Sequence, residues 1–328
     1  MGEGRSLAPI VFFGYNRGDH AVRALESIKA CPECDDTPIT IYMDGAKNEE
    51  GVPAVETARE AVRSAAPAHA EIICREKNMG LANSVRAGVS AACDQYGRVI
   101  VVEDDLLMAP TALTWFNAGL DHYQDEDRVM HIAGYWPEPS PKLAESFFVR
   151  WPAVWGWATW ASAWEHLEWD LQTLMKTVED PTLAARLDEG GWNFTGQLRG
   201  TAKGRYDSWG IRWYVSVLRE EGLALHPRDA QVINTGTDGS GVHIDESKEF
   251  DVPLGTSVPA FPTVVEEDLR AVAAWGDFVR RVKAGPLKVR IVRRAKDVVK
   301  GGARSLLNLT PGPVERRLRA LWHALRAG

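Results

Sequence analysis

The chain has 328 residues, of which 45% are hydrophobic and 25% charged, with a net charge of −7 at pH 7. That composition excludes a disordered or fibrous chain and fits one large α/β domain, or a domain with an appended segment. No apolar run reaches the ~18 residues needed to cross a bilayer, and the polar start, residues 1–7, predicts no secretory signal. The four cysteines, Cys31, Cys34, Cys74 and Cys93, include a lone CxxC with no second pair at zinc-finger spacing, so they read as reduced thiols of a cytoplasmic protein.

Charge is unevenly spread. Residues 280–328 hold 14 Lys and Arg against Asp297 and Glu315 only, a local +12, so the rest of the chain carries −19. This is an acidic body with a basic tail. In the tail, Val292, Ala295, Val299, Ala303 and Leu306 recur at helical spacing between basic residues. Such a basic amphipathic helix suits an anionic membrane surface, giving a peripheral contact through residues 286–328, or packs on the acidic body.

In chain order, residues 8–15 form an apolar strand ending at Asn16-Arg17. A helix over 20–30 follows, with Asp19 as its N-cap. Residues 39–43 form a strand ending at Asp44-Gly45, 52–66 a helix, and 70–74 a strand followed by Asn78. Residues 81–92 form a helix and 99–102 a strand. Strand and helix alternate at βαβ spacing, which predicts a mostly parallel sheet flanked by helices. No GxGxxG or GxxxxGK[ST] follows the first strand, so neither usual dinucleotide binding nor a P-loop is expected. A helix covers 111–123. The pattern then becomes irregular, and residues 136–169 contain seven of the 13 tryptophans. Rings in such number suit a carbohydrate surface or the core of a second half-domain. A helix over 209–223, a strand over 230–234 and a helix over 264–282 complete the series.

The richest feature is Val99-Ile100-Val101-Val102 running into Glu103-Asp104-Asp105. A buried strand here ends in three carboxylates, and ligands of open α/β sheets bind outside such strand ends. Adjacent acids repel one another unless a cation offsets them. Hard oxygen donors suit Mn²⁺ or Mg²⁺, ions that commonly bridge to phosphates. Arg17, Asp44 and Asn78 end the other strands of the same sheet. Together these supply a phosphate-binding cation, a base-recognising carboxylate and a metal site.

At this point the chain resembles GT-A-fold glycosyltransferases, a Rossmann-like α/β class, in particular bacterial family-2-type sugar transferases and the N-acetylglucosaminyltransferases of N-glycan assembly. The resemblance spans about residues 9–243. It implies that Arg17, Asp44, Asn78, Glu103 and Asp104 bind a nucleotide-sugar donor. It further implies that Asp105 and His243 hold the metal, and that Gly156 and Trp157, in a glycine-containing loop, lie beside the donor sugar. Asp207, of Tyr206-Asp207-Ser208-Trp209, falls at the general-base position. Read by residue type alone, Asp207 is first an N-cap for the helix that follows, and its place in the ordered set of motifs favours the functional role. Aromatic cover from Trp209 and the 155–160 loop is expected to desolvate it. The use of Glu where the commonest pattern has Asp departs from the family at the first acidic position.

The resemblance divides the chain into a nucleotide-sugar half (1–110), an acceptor and catalytic half (111–263) and a helical extension with the basic tail (264–328). It implies sugar transfer from a nucleoside diphosphate sugar, with UDP as the expected nucleotide and inversion as the expected outcome, to a glycan or lipid-linked acceptor, and no nucleic-acid partner. A sugar-phosphate nucleotidyltransferase is the alternative enzyme, but Gly14-Tyr15-Asn16-Arg17-Gly18 is short and glycine-poor for its usual loop. A non-catalytic carbohydrate-binding protein is the other alternative.

Overall fold

The structure is a computed structural model and describes residues 7–205, 207–236 and 249–284. The chain divides into a unit of residues 1–278 and a second unit of residues 279–328, of which only 279–284, the end of the last helix, are described.

The first unit opens as a βα series: β1 (Ile10–Gly14), α1 (Gly18–Lys29), β2 (Ile39–Met43), α2 (Val52–Ala65), β3 (Glu71–Cys74), α3 (Leu81–Tyr96) and β4 (Arg98–Glu103). It continues with β5 (Leu106–Met108), α4 (Ala112–His122), β6 (Val129–Ala133), β7 (Ser146–Val149), β8 (Trp157–Trp160) and the one-turn α5 (Ala161–Trp164). Three short helices follow, α6 (Leu171–Thr177), α7 (Pro181–Asp188) and α8 (Phe194–Ala202). Then come α9 (Trp209–Arg219), β9 (Leu223–Pro227), β10 (Val232–Asn234) and α10 (Leu269–Ala284).

Eight strands form one sheet in the order β3-β2-β1-β4-β8-β6-β9-β7. The pairs among β3, β2, β1 and β4 are parallel, as is β6 with β9, whereas β8 and β7 run against their neighbours. The sheet is mostly parallel, as expected, but mixed: in the Trp-rich segment β8 inserts antiparallel between β4 and β6, and β7 runs antiparallel to β9. Because the sheet draws strands from both sides of residue 110, the expected halves 1–110 and 111–263 share one sheet.

The apolar runs explain the centre. Ile10, Phe12 and Val99 to Val102 are all but fully buried, since both faces of β1 and β4 are covered. Phe13 and Tyr42 stack at 5.6 Å beside Gly88 of α3. A second apolar cluster lies under the short helices, around Trp136, Trp151, Leu174, Phe194, Leu198 and Val215. The chain from 249 to 268 carries no helix or named strand and is pinned by side chains. Tyr135 Oη donates to the Phe250 carbonyl (2.8 Å), Tyr123 Oη to that of Pro262 (2.7 Å), and Gln231 Nε2 to that of Ser257 (3.2 Å). Asp19 does not cap α1; Arg17 occupies the N-cap position and no side chain caps it.

Candidate active site

The carboxyl ends of β1 and β4 lie side by side, with Phe13 opposite Glu103. The chain leaving β1 brings Arg17 across this junction. A single guanidinium nitrogen, Nη2, donates to Asp105 Oδ2 at 2.9 Å and makes an ion pair with Asp104 Oδ1. The Tyr15 backbone N–H donates to the other Asp104 oxygen at 3.4 Å. Asp104 is the more enclosed of the two, its side chain 6% exposed against 14% for Asp105, so Asp105 is the acid a ligand reaches first.

These charges perturb one another. Burial pushes the Glu103 carboxyl up to about 8, with Asp105 and Asp104 adding to the shift and Arg17 opposing it. Burial likewise raises Asp104 to about 6, against the pull of Arg17. Burial alone would lower Arg17, but the two aspartates outweigh it and its pKa is raised. Glu103 and Asp104 are thus both harder to ionise than free carboxyls, and Arg17 opposes that shift in each.

Asp44 sits at the end of β2. Its carboxylate accepts backbone N–H groups from Gly45, Met79 and Gly80, each at 2.9 Å. Asn78 Nδ2 donates to the Gly45 carbonyl at 2.7 Å. Asp44 and Asn78 therefore lock the loops after β2 and β3 together, and Asp44 is buried while doing so.

On the other side of β4, Gly156 precedes β8, whose Trp157 pairs in register with Val101. Gly156 has φ +64°, and a Cβ there would lie 2.6 Å from a Val232 methyl, so both conformation and space require glycine. The Trp157 ring is 1% exposed, between His131 (5.2 Å), Trp164 (5.7 Å) and Trp209 (5.4 Å). As a donor contact this ring is a correction: it belongs to the core. Trp136, Trp151, Trp160 and Trp164 are buried too, while Trp155 and Trp169 are half-buried. Most of the tryptophan-rich segment is core, and Trp155, against Tyr135 (4.7 Å) and Phe250 (5.6 Å), retains exposed ring surface.

Asp207 is not the cap of α9. Ser208 is, accepting from the Ile211 N–H at 3.4 Å. Asp207 pairs instead with Arg212 at 2.8 Å, and its side chain is 58% exposed rather than desolvated by aromatic cover. The aromatic rings nearby pack on each other. Arg212 lies 4.5 Å from the Trp169 ring, which also receives Arg86 at 4.8 Å. Trp209, two residues after Asp207, stacks on Trp157 at the start of β8.

Two residues not singled out from sequence complete the junction. Thr235 donates its N–H to the Asp105 carbonyl at 2.8 Å and its hydroxyl to the same oxygen at 3.0 Å. Gly236 follows, pressed against Asp105. The signal in the sequence was a glycine two residues past the end of a strand. His243 and residues 286–328, the amphipathic tail, lie outside the described residues.

Among the described residues no group of three His, Cys, Asp or Glu converges as a metal shell. The donor chemistry of Asp104 and Asp105, hard oxygens on one face, fits Mn²⁺ or Mg²⁺ as a partial set. Among the same residues no helix is long and apolar enough to cross a membrane.

No family profile matches the chain, and no curated protein matches it. Solved structures similar to it include the mannosyltransferase PcManGT from Pyrobaculum calidifontis in complex with GDP-Man and Mn²⁺. That likeness has 12% identity over 67% of this chain and 90% of that one, with a TM-score of 0.33. Another is an active-site mutant of LgtC, with 12% identity over 53% of this chain and 64% of that one and a TM-score of 0.33. A third is mouse xyloside xylosyltransferase 1 in its apo form, with 9% identity over 64% of this chain and 80% of that one and a TM-score of 0.31.

Proposed function

We propose that the chain is a GT-A-type glycosyltransferase, moving a sugar from a nucleoside diphosphate sugar to an acceptor hydroxyl. The observation that carries this reading is the junction of Arg17 with Asp104 and Asp105 at the ends of the two adjacent strands β1 and β4. Along the sheet edge from β4 through β1 to β2, the groups run from the charged junction to the Asp44–Asn78 loops. An extended donor has the same order, diphosphate then nucleoside. Arg17 offers the diphosphate a planar fork of donors. On the far side of β4, Gly156 and the half-exposed Trp155 ring give a face suited to sugar.

Asp105, with Asp104, would hold a divalent ion, with His243 as a further ligand by resemblance. Such an ion supplies counter-charge to the departing diphosphate. The acceptor hydroxyl attacks the anomeric carbon as the bond to the diphosphate oxygen breaks. Its proton passes to an Asp207 carboxylate oxygen. In-line attack inverts the anomeric centre. UDP is the proposed nucleotide and a glycan or lipid-linked acceptor the proposed partner, with membrane contact through residues 286–328.

The test is a thermal-shift and calorimetric screen of UDP, GDP and dTDP and their sugars, with and without Mn²⁺. A ligand that binds the native state raises its melting temperature by mass action. The expected result is stabilisation by one nucleotide, strengthened by Mn²⁺ and lost in Asp105→Ala. No stabilisation by any nucleotide, together with no nucleotide release from any donor, would overturn the reading. Liposome co-sedimentation that is unchanged when residues 286–328 are removed would overturn the membrane contact.

A further inference from the structure

We propose that Arg17 is a tethered counter-ion: in the free protein its guanidinium holds the face of Asp104 and Asp105 that a divalent cation would take, and a nucleoside diphosphate draws it away, so that metal and nucleotide bind cooperatively. The inference rests on the metal-assisted reading above and goes beyond it, because it makes the free site a poor metal site by construction.

Three observations support it. First, one nitrogen serves both carboxylates. Nη2 of Arg17 contacts Asp104 and Asp105 together, so it stands between them rather than at their rim. A divalent ion bridging the same oxygens would sit within a few ångströms of a guanidinium. Like charges that close repel strongly where water is largely excluded, and a doubly charged ion repels more than a singly charged one. The metal and the guanidinium cannot share this face.

Second, the backbone of Arg17 is anchored while its side chain is partly open to solvent. Arg17 is the residue at the N-cap position of α1, and its carbonyl accepts the Ala21 N–H at 3.0 Å. The side chain is 23% exposed, against 6% for the Asp104 side chain it touches. Displacement therefore means a rotamer change toward solvent, not a refolding of the loop. A diphosphate arriving at the end of β1 offers oxyanions to the same fork, and guanidinium–phosphate pairing is a strong charge-assisted contact.

Third, the acids are more confined than the arginine. Asp105 is held through its carbonyl by Thr235, and Gly236 closes over its carboxylate. Asp104 is held by the Tyr15 N–H. The mobile partner at this junction is the arginine.

The coupling is reciprocal: whatever nucleotide does for metal affinity, metal does for nucleotide affinity. Replacing Arg17 by an uncharged residue removes the competitor, so metal alone should bind more tightly, and nucleotide should add less. The experiment is an electron-paramagnetic-resonance titration of Mn²⁺ into wild type and Arg17→Met, each without nucleotide and with UDP or GDP. Arg17→Gln serves as a second variant that keeps a donor but no charge, should the Met variant not fold. The expected result is Mn²⁺ affinity in the nucleotide-free variant raised by about tenfold, in the range usual for coupled sites. The nucleotide-induced gain seen in wild type should shrink correspondingly. Unchanged nucleotide-free affinity in both variants, with Mn²⁺ bound by all proteins in the presence of nucleotide, overturns the tethered counter-ion and leaves the metal reading standing. No Mn²⁺ binding by any protein, with or without nucleotide, overturns both.

Discussion

Gly236 presses against the carboxylate of Asp105: a Cβ on Gly236 would lie 2.4 Å from Asp105 Oδ2 and 3.1 Å from Arg17 Nη1. Aspartate has a short side chain, and this one is also ion-paired, so it cannot step aside without breaking the junction. Gly236→Ala is therefore expected to shift the Asp105 carboxylate while leaving the buried sheet intact. Calorimetry should show weakened nucleotide and Mn²⁺ binding, with the melting temperature within a few degrees of wild type. Undiminished binding would mean that the site tolerates a displaced Asp105.

His131 gives a pH-dependent prediction away from the site. Its Nδ1 accepts the Trp213 indole N–H at 3.1 Å, so the ring's own proton is on Nε2, which donates to the Ala153 carbonyl at 2.9 Å. Burial drives its pKa down to about 3, with the Ala153 contact opposing. The unfolded chain takes up a proton near pH 6.5 and the folded chain does not. The stability owed to neutral His131 is thus complete above pH 6.5 and falls as the pH drops toward 3. By pH 5 the loss is about 2 kcal/mol. His131→Gln removes the titration along with the ring, so its destabilisation should be largest at pH 8 and smaller by about that amount at pH 5. Urea denaturation at the two pH values reads it. A gap independent of pH would show that His131 is not buried and neutral.

The first four strands were legible because each is an apolar run bounded by a turn. Residues 39–43 match β2, and the acidic end of β4 is where the run over 99–102 stops. Beyond residue 111, β10 was legible in the strand read over 230–234, but β6 to β9 were hidden for physical reasons. β6 carries a buried histidine, β9 contains His226 and Pro227, and β8 is four residues long inside a tryptophan-rich stretch. Each is stabilised by its neighbours in the sheet rather than by its own pattern. The short helices did leave signals: Asp170, Asp180 and Asn193 all cap helix N-termini, and Pro181 follows Asp180 at the first helical position. For the site, the residues were legible but not their contacts. That Arg17 closes on both aspartates follows from the register of β1 against β4, which no local pattern encodes. The burial of Trp157 depends on partners from α5 and α9, distant in sequence.

Trp155 and Trp157 are two residues apart and should behave differently. Trp157→Ala opens a cavity among Trp164, Trp209 and His131 and should cost about 3–5 kcal/mol of stability. Trp155→Ala removes a half-exposed ring and should cost far less, while raising the acceptor KM or weakening glycan binding, as loss of a stacking face does. Thermal denaturation and acceptor saturation curves for the two variants separate the roles. An acceptor KM unaffected by Trp155→Ala would place the sugar elsewhere.

The strongest test of the mechanism is Asp207→Asn. Ser208 takes the capping role, so the Asp207 carboxylate is not needed to start α9. Arg212, one turn into α9, holds one of its oxygens at 2.8 Å and fixes where the group points. Arg212 is itself buried and seated against Trp169, so the support is rigid although Asp207 is mostly exposed. Asparagine keeps the shape and an oxygen for Arg212 but removes the ability to take a proton. Loss of a general base typically lowers the rate by ~10²–10⁴-fold. Donor affinity should be unchanged, since Asp207 takes no part in the Arg17–Asp104–Asp105 junction. Measuring nucleotide-sugar affinity and transfer rate on the same preparation distinguishes the outcomes. Turnover near that of wild type removes Asp207 from the reaction. Lost donor binding in a folded variant assigns it to the donor site instead, and leaves the acceptor proton to another group at the β4 edge.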